Sequence, residues 1–590
     1  MKTKTQFLGA ALGLLCGSAA VAQSYYDLNG TTAGSGVTNG GSYVWNTTDS
    51  FWNSDSTGGG GGAFSTWTDS SSSPGTAYFS AGGGGSNYLV TIPSGQVRDI
   101  NYLWANGDNV TLSGAVRPDG VGTYNRGFGA INPGVLTFSN LTILTTNCDY
   151  VNLNSGNYLG RYKFSTGVNV GYKQWAIPSY TTVDFGNLLD QNLIFTTNYP
   201  GGGQIACLFF NNYADNAIIQ GSGLLTVPLG NWYSGPFPCI AWNGDPYGNN
   251  CGGGFAGRGG KLTVNLFGDG RTIAWGTNNF VGDGNGNKFN LIFNSGDADS
   301  PVEFQNGINL KGRSATLKVL TPASSNAIAT ISGAISDSAG GGTFTKLAQN
   351  GYQAAGTLIL SGANTYRGTT VIKEGKLLVS SAHTGGGEFD VYANSYGNCG
   401  FGVQVKSTAT VPASAVILDF IGSGNNTTLD FNYVAANTNG ALLATNFTVN
   451  SAVCTVSVSG SLSVGQFPLI KYQGSIGGNG FGALTLGSLP AGVTASLVDN
   501  SGNSSVDLNV TAVPTPSIPK IINVSVIGGS VSFTATNGTP SSSCAVLSST
   551  NITLPLSSWT TNTTTTFDGN GVFQFSSTIS GSQTFYRLKQ

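Results

Sequence analysis

Residues 356–379 constrain the fold more than any other part of this chain. Their pattern predicts three short strands separated by tight turns. Thr357 to Leu360 alternates in polarity, Thr369 to Lys373 is rich in β-branched residues, and Leu377 to Val379 resumes the extended pattern. Three strands of about four residues cannot bury an apolar face alone, so such a unit needs similar units stacked above and below it. The stretch therefore predicts one rung of a parallel β-solenoid.

A motif of glycines, polar residues and one tyrosine runs through this stretch. It comprises Gly356, Thr357, Leu358, Leu360, Ser361, Gly362, Asn364, Thr365, Tyr366, Gly368, Thr370, Val371, Gly375 and Leu377. The motif resembles the autotransporter-associated β-strand repeat, or passenger-associated transport repeat, of Gram-negative bacterial surface and secreted proteins, although it is one residue short between Gly368 and Val371. Residues 26–80 and 467–510 resemble other modules of these proteins. The resemblance implies an elongated, right-handed parallel β-solenoid and says little about activity.

The first 22 residues have the features of a secretory signal peptide. Lys2 and Lys4 precede an apolar run from Phe7 to Leu15, and Ala-Val-Ala at 20–22 provides a cleavage site. We therefore expect export to the outer cell surface or the extracellular space, with the periplasm as an alternative. No later run reaches about 18 apolar residues, so we expect no transmembrane helix.

The composition predicts an all-β protein. The 590 residues include 89 glycines but only 24 basic and 26 acidic residues, too few good helix formers for a helical fold. The formal net charge of −2 is not that of a nucleic-acid-binding protein, so we expect no nucleic-acid partner.

Stretches rich in the turn-forming residues glycine, asparagine and proline divide the chain after the signal peptide into four parts. We expect an aromatic-rich N-terminal cap with the first rungs at 23–114, and a β-solenoid at 115–511 whose rungs of about 22 residues would stack into a rod of about 85 Å. A proline-rich linker follows at 512–519. Residues 520–590 predict a small Ig-like β-sandwich, a sorting or attachment module. Too few residues follow the linker for an autotransporter barrel, so we expect the repeat without one. The expected core of the sandwich comprises Ile521, Val524, Val526, Phe533, Trp559, Phe573, Phe575 and Phe585.

Aromatic residues suggest two possible ligand surfaces, each with a structural alternative. A first set in the cap would form either its core, which we favour, or a sugar-stacking platform. A second set lies in residues 228–260, which are too rich in proline and glycine for a strand, and would either line a ligand groove or cover the solenoid. The first set is Trp45, Trp52 and Trp67, and the second is Trp232, Tyr233, Trp242 and Tyr247.

Two cysteines could form a disulfide within residues 228–260. Cys239 and Cys251 lie close enough in sequence to join, and exported proteins keep disulfides. Seven cysteines remain after removal of the signal peptide, so at least one is unpaired or pairs between molecules. The sequence does not decide the pairing.

Acidic residues and the single histidine give only weak catalytic candidates. Asp297, Asp299 and Glu303 form the densest acidic cluster, which suits glycoside hydrolysis or calcium-assisted lyase chemistry but also an ordinary turn. His383 lies in a glycine-rich turn, where we expect a solvated loop rather than a triad base. Residues 283–287 resemble the start of a calcium loop but lack its later ligands.

Together these features predict a non-enzymatic, adhesin-like β-solenoid with a structural or adhesive role at or beyond the cell envelope. Its expected partner is a surface or extracellular polysaccharide, or another cell surface. We predict no catalytic, cofactor-binding or metal-binding residues. The alternative is a polysaccharide-binding or polysaccharide-degrading β-helix protein, a lyase or hydrolase, with the acidic cluster or the aromatic segment 228–260 as its site.

Overall fold

A computed structural model describes most of the chain after residue 22. The described residues are 23–82, 84–118, 125–131, 134–144, 150–154, 160–170, 173–187, 189, 205–210, 216–231, 235, 237–242, 252–277, 279–281, 290–347, 356–380, 382–393, 398–405, 409–420, 426–432, 438–514, 518–539, 542–579, 581 and 583–589. The chain divides into two compact units. Unit 1 spans Met1–Ser459, Phe467–Ser488 and Val498–Asp507, and unit 2 spans Gly460–Gln466, Leu489–Leu497 and Leu508–Gln590.

Unit 1 begins with strands that stack mainly in parallel. Tyr78 lies opposite Trp104, and Trp104 lies opposite Gly129. At the start of the chain, Tyr25 instead pairs with Asn53 in an antiparallel bridge. These strands are β1 (Gln23–Tyr26), β2 (Gly41–Val44), β3 (Trp52–Asn53), β4 (Phe64–Ser65), β5 (Gly75–Phe79), β6 (Asn87–Thr91), β7 (Arg98–Asn106), β8 (Asn109–Pro118), β9 (Asn125–Ile131), β10 (Val135–Ile143), β11 (Tyr150–Asn154), β12 (Gly160–Phe164), β13 (Asn169–Val170), β14 (Lys173–Ile177) and β15 (Thr181–Asp184).

The middle of unit 1 stacks three parallel ladders. On one of them Leu291 pairs with Leu317, then Lys346, then Ile372, at spacings of 26, 29 and 26 residues. These rungs are longer than the expected average of about 22 residues. The strands are β16 (Ile205–Phe210), β17 (Ile218–Leu225), β18 (Cys239–Ala241), β19 (Gly253–Val264), β20 (Ile273–Ala274), β21 (Asn290–Phe293), β22 (Val302–Phe304), β23 (Ile308–Asn309), β24 (Ala315–Val319), β25 (Ala329–Ile331), β26 (Ile335–Ser336), β27 (Phe344–Leu347) and β28 (Thr357–Leu360).

Later strands continue the parallel stacking of unit 1 through the motif at 356–379, and three of them, at residues 465–471, 494–500 and 505–512, include residues of both units. The three strands predicted in that motif are present, with the third beginning at Gly375 rather than after it. The strands that follow β28 are β29 (Thr370–Ile372), β30 (Gly375–Ser380), β31 (Phe389–Ala393), β32 (Cys399–Gln404), β33 (Val411–Phe420), β34 (Thr427–Asn432), β35 (Leu442–Val449), β36 (Cys454–Ser459), β37 (Gly465–Lys471), β38 (Gly477–Gly478), β39 (Leu484–Leu486), β40 (Thr494–Asn500) and β41 (Ser505–Ala512), with short 3-10 helices at Phe481–Ala483 and Ser501–Asn503.

Columns of apolar side chains form the core of unit 1. Leu358, Leu377, Phe401, Leu429 and Val456 occupy successive positions on one ladder, and all five are buried. Alternate residues of a strand face opposite ways, so in-register stacking turns each inward position into a continuous column. The all-β, mainly parallel architecture agrees with the predicted β-solenoid, and its right-handedness stays a prediction.

Unit 2 contains two three-stranded antiparallel sheets. One has the order β42, β43, β46 and the other β45, β44, β47. The strands are β42 (Lys520–Ile527), β43 (Ser530–Thr536), β44 (Ser543–Ser549), β45 (Thr560–Thr566), β46 (Phe573–Thr578) and β47 (Phe585–Lys589), with a 3-10 helix at Leu556–Ser558. The buried cluster comprises Val531, Phe533, Ala535, Cys544, Val546, Phe567, Phe573 and Phe575.

The predicted core of unit 2 was wrong at Val524 and Val526, which are each 62% exposed. Val526 pairs with the buried Val531, so the two side chains share a face of the sheet. However, Val526 lies on β42, which is the edge strand of its sheet. Trp559 is half-buried, with its indole N–H donating to the Leu554 carbonyl at 3.0 Å.

Candidate functional site

The three tryptophans of the cap are buried rather than arranged as a platform. Trp45, Trp52 and Trp67 are 0%, 2% and 4% exposed, and each ring lies within 5.3 Å of the other two, measured between centroids. Phe79 packs edge-on against Trp45 and Trp52. These indoles therefore form core, as the favoured interpretation expected, and no flat face is left for a sugar.

The second aromatic set is only partly described. Trp232, Tyr233 and Tyr247 lie outside the described residues. Trp242 is 1% exposed, its Nε1 donates to the Gly253 carbonyl at 3.2 Å, and its ring packs against Phe210, Phe255 and Phe280. Trp242 therefore belongs to the core and does not line a ligand groove.

The acidic cluster holds neighbouring strands together. Asp297 accepts a 2.5 Å hydrogen bond from Arg258 Nη1, and Glu303 accepts one of the same length from Lys261. Asp299 accepts the backbone N–H of Gly259 at 2.8 Å. Each carboxylate thus bonds to a residue about 40 positions earlier, on an adjacent rung, as an ordinary cross-rung contact would.

The pKa values in this cluster separate two kinds of carboxyl. Hydrogen bonds from the Ser300 hydroxyl and the Gly259 N–H lower the pKa of Asp299. At Glu303, burial acts to raise the pKa of the carboxyl. Hydrogen bonds from Lys261 and Ser332 outweigh burial, so the pKa is lowered. Burial raises the pKa of Asp184, whose carboxylate lies 3.6 Å from Arg258 Nη1. Arg258 therefore bridges Asp184 and Asp297, an arrangement that sequence spacing did not reveal.

The expectation that His383 lies in a solvated loop was wrong. It is 1% exposed, and its ring centroid lies 5.3 Å from those of Tyr366 and Phe389. Neither ring nitrogen has a hydrogen-bond partner among the described residues. Burial lowers its pKa from 6.5 to about 4. The imidazole therefore packs as an aromatic ring, and nothing described beside it could complete a triad.

Lys346 is a second buried base, and it belongs to none of the candidate sites named from the sequence. It lies inside the rung, and its Nζ donates to the Glu374 carbonyl at 2.5 Å. Burial lowers its pKa to about 7, although Glu374 acts in the opposite direction. Residues 344–347, Phe-Thr-Lys-Leu, do not alternate in polarity, so no sequence signal marks Lys346 as inward-facing.

No metal centre emerges from the described part of the chain. Residues 283–287, the candidate calcium loop, lie outside it. Within it, no three His, Cys, Asp or Glu side chains gather closely enough to hold an ion. None of its helices is both long and apolar enough to cross a membrane.

A groove on the surface of unit 1, lined by both polar and apolar side chains, is a further candidate site among the described residues. It crosses strands β30, β32, β34 and β36, at positions where Leu378, Gly402, Asp430 and Ser457 lie in one column. The neighbouring columns add polar groups. The lining residues are Lys376, Leu378, Val403, Gln404, Asp430, Phe431, Asn432, Ser457, Val458, Ser459 and Ser488.

Two glycines shape this groove. A Cβ at Gly402 would lie 2.3 Å from the Leu378 side chain, and one at Gly400 would lie 2.2 Å from the Thr428 hydroxyl. Because Gly400 and Gly402 carry no side chains, Lys376 crosses β32 and its Nζ reaches Asp430 at 2.9 Å. The result is a charge pair in a channel flanked by the amides of Gln404 and Asn432, which can bind hydroxyl-rich or charged ligands.

The motif at 356–379 supplies the first strand of the groove, because Lys376 and Leu378 belong to β30. The family profile described as Passenger-associated-transport-repeat matches residues 355–379. The chain contains this repeat. It points to an exported, passenger-like surface protein, as the sequence resemblance suggested. No curated protein and no solved structure matches the chain.

The glycines of the passenger-associated repeat lie where successive rungs touch. A Cβ at Gly362 would lie 2.3 Å from the Gly333 carbonyl oxygen, and one at Gly368 would lie 1.8 Å from the Gly342 carbonyl oxygen. Gly375 is different, because its φ of +65° is in the left-handed region. The glycines thus serve backbone contact at two corners and a turn at the third.

Two polar residues of the passenger-associated repeat contact the previous rung, one through a hydrogen bond and one through its ring. Asn364 is fully buried, and its Oδ1 accepts the backbone N–H of Ile335 at 2.8 Å. Tyr366 stacks on Phe344, and its hydroxyl shares a 2.8 Å hydrogen bond with Thr370. Asn364 and Tyr366 therefore help to hold this rung on the previous one.

Proposed function

We propose that the protein is an exported, non-enzymatic β-solenoid that adheres to extracellular or surface polysaccharide through the groove on β30 to β36. The groove carries the proposal, because Gly400 and Gly402 keep a channel open over a charge pair. Hydroxyl-rich polymers are bound by amides, hydroxyls and charged groups of this kind. The strand ladder also suits an extended ligand, because the column of Gln404, Asn432 and Ser459 offers a polar group at each rung.

Two observations support the adhesive proposal over catalysis. The passenger-associated repeat is typical of surface and secreted proteins and is built into the groove itself. In addition, the acidic candidates Asp297, Asp299 and Glu303 are occupied by cross-rung bonds.

Export itself is tested by fractionating cells that produce the full-length chain, with surface proteolysis of intact cells. Retention in the cytoplasm would contradict it.

Removing the two groove amides is expected to weaken glycan binding about tenfold or more. Gln404→Ala with Asn432→Ala deletes two hydrogen-bonding groups, each worth about 1 kcal/mol. Binding is measured first on a glycan array and then by titration with the glycan that scores highest. Gln473→Ala is the control, since Gln473 is an exposed residue of unit 1 outside the groove. Equal binding by all three proteins would reject the groove as the contact surface.

The alternative is a polysaccharide-degrading enzyme centred on Asp184, Arg258 and Asp297. Its support is the raised pKa of Asp184 beside a second carboxylate on the same guanidinium, because glycoside hydrolysis uses one protonated and one ionised carboxyl. We expect no release of reducing sugar from plant or algal polysaccharides. Release that Asp297→Asn abolishes, and that the exposed control Asp269→Asn retains, would favour the enzyme.

A further inference from the structure

Two buried cysteines face each other across adjacent rungs of unit 1. Cys207 of β16 lies directly opposite Cys239 of β18 in the parallel register, and their Sγ atoms are 2.8 Å apart. Both side chains are fully buried, in a small cluster with Ala176, Phe209 and Ala241. Sequence spacing gave no hint of this pair, because 31 residues separate the two cysteines.

The backbone geometry is compatible with a covalent link. In-register residues on paired strands have Cα atoms about 4.8 Å apart, and disulfides span Cα separations of about 4.4–6.8 Å. A bond of about 2.05 Å requires each sulfur to move by less than about 0.5 Å. Among the other described cysteines, Cys399 and Cys454 share a ladder, but Thr427 lies between them, which places them two rungs apart and out of reach.

The position of the pair gives the link a mechanical role. Strand β18 has only three residues, and among described residues its ladder partner is β16 alone, supplemented by an isolated bridge between Leu229 and Ile240. It also lies within 228–260, where the proline and glycine content predicted no strand, although β18 and the start of β19 form there. A short strand at the end of a ladder opens easily unless it is anchored.

We infer that Cys207 and Cys239 form a disulfide that anchors β18 to β16 in the exported protein. The inference rests on the proposed export, because the oxidising compartments outside the cytoplasm allow such bonds to persist. The oxidant is a protein disulfide carrier. Its disulfide accepts two electrons and two protons from the two thiols by exchange, so one bond forms in this chain and one breaks in the carrier.

Burial also determines when the disulfide can form. It raises the pKa of Cys207 well above the usual value for a thiol, which disfavours the reactive thiolate once the rung has closed. The exchange therefore takes place while β16 and β18 are docking, before the cluster excludes the carrier. Afterwards the bond is shielded from reductants.

Mass spectrometry tests the bond directly on the full-length, exported protein. The protein is denatured in iodoacetamide without reductant and digested. We expect one peptide pair joined through Cys207 and Cys239 that separates only after reduction. Carbamidomethylation of both cysteines in the unreduced sample, or a link from Cys239 to Cys251, would overturn the inference.

A second arm separates this inference from export. Purified full-length protein is denatured, reduced and refolded in a glutathione redox buffer. If the chain is retained in the cytoplasm but forms the same pair on refolding, the disulfide stands and the export proposal fails. If the pair is missing in both arms, the inference fails whatever the location.

Limited proteolysis measures what the bond does. We expect cleavage between residues 207 and 239 to be on the order of tenfold faster or more in Cys207→Ser and Cys239→Ser, because a disulfide suppresses opening of the loop that it closes. Cys454→Ser, which also removes a buried thiol, is the control and should cleave in this segment like the wild type. Equal cleavage in all variants would show that no bond anchors β18.

Discussion

Gly368→Ala is expected to destabilise unit 1 by at least about 3 kcal/mol. The new Cβ would lie 1.8 Å from the Gly342 carbonyl oxygen, which belongs to the backbone of the preceding rung. A flexible side chain could turn away from such a collision, but a carbonyl fixed in a stacked rung cannot. The rungs must therefore separate at this corner, which strains the hydrogen bonds on either side.

The matched control is Gly296→Ala. Gly296 also lies in a turn of unit 1, but a Cβ there meets nothing within 4 Å and its φ lies outside the left-handed region. We expect that change to shift stability by less than about 0.5 kcal/mol. Urea denaturation, followed by tryptophan fluorescence, compares both variants with the wild type. Similar losses in the two variants would disprove the view that rung contact requires Gly368.

The strands of the passenger-associated repeat were predictable because their signal is local. Alternation over four residues and turn residues between them require no knowledge of the rest of the chain. From the sequence, Gly368 and Asn364 could be recognised only as members of the repeat motif, without the reason for their presence. That reason lies in residues 26 to 29 positions earlier, at Gly342 and Ile335, and no local pattern states which residues the next rung will contact.

The groove could not be predicted for the same reason. Leu378, Gly402 and Asp430 meet only because the register places them in one column, at spacings of 24 and 28 residues. Rung lengths vary with the loops, so the sequence does not fix the register in advance. The pair Cys207 and Cys239 and the bridge from Arg258 to Asp184 depend on register in the same way.

The sequence predicted burial correctly where several large apolar residues cluster. It predicted burial wrongly where a single residue was judged by its neighbours in the sequence. Trp45, Trp52 and Trp67 were correctly expected to form core. His383 was judged by the glycines that follow it, which indicate a solvated turn. The side chain instead enters a column of aromatic rings between Tyr366 and Phe389.

The burial of His383 is expected to make unit 1 sensitive to acid. The unfolded chain takes up a proton at this residue near pH 6.5, whereas the folded chain does so only near pH 4. Between these values the unfolded state binds more protons, so lowering the pH favours unfolding. The contribution is absent above pH 6.5 and reaches about 3 kcal/mol of lost stability below about pH 4, since one pKa unit corresponds to about 1.4 kcal/mol.

Comparison with His383→Phe isolates this contribution. Phenylalanine keeps a ring between Tyr366 and Phe389 and removes two nitrogens that have no partner among the described residues, so we expect the variant to be at least as stable at pH 7. Asp390, whose pKa burial raises to about 6, titrates in the same range in both proteins and cancels in the difference. Chemical denaturation at intervals from pH 7 to pH 4 should show the wild type falling progressively behind the variant. A constant difference across that range would mean that the imidazole of the folded protein is solvated or bonded, and would contradict its place in the aromatic column.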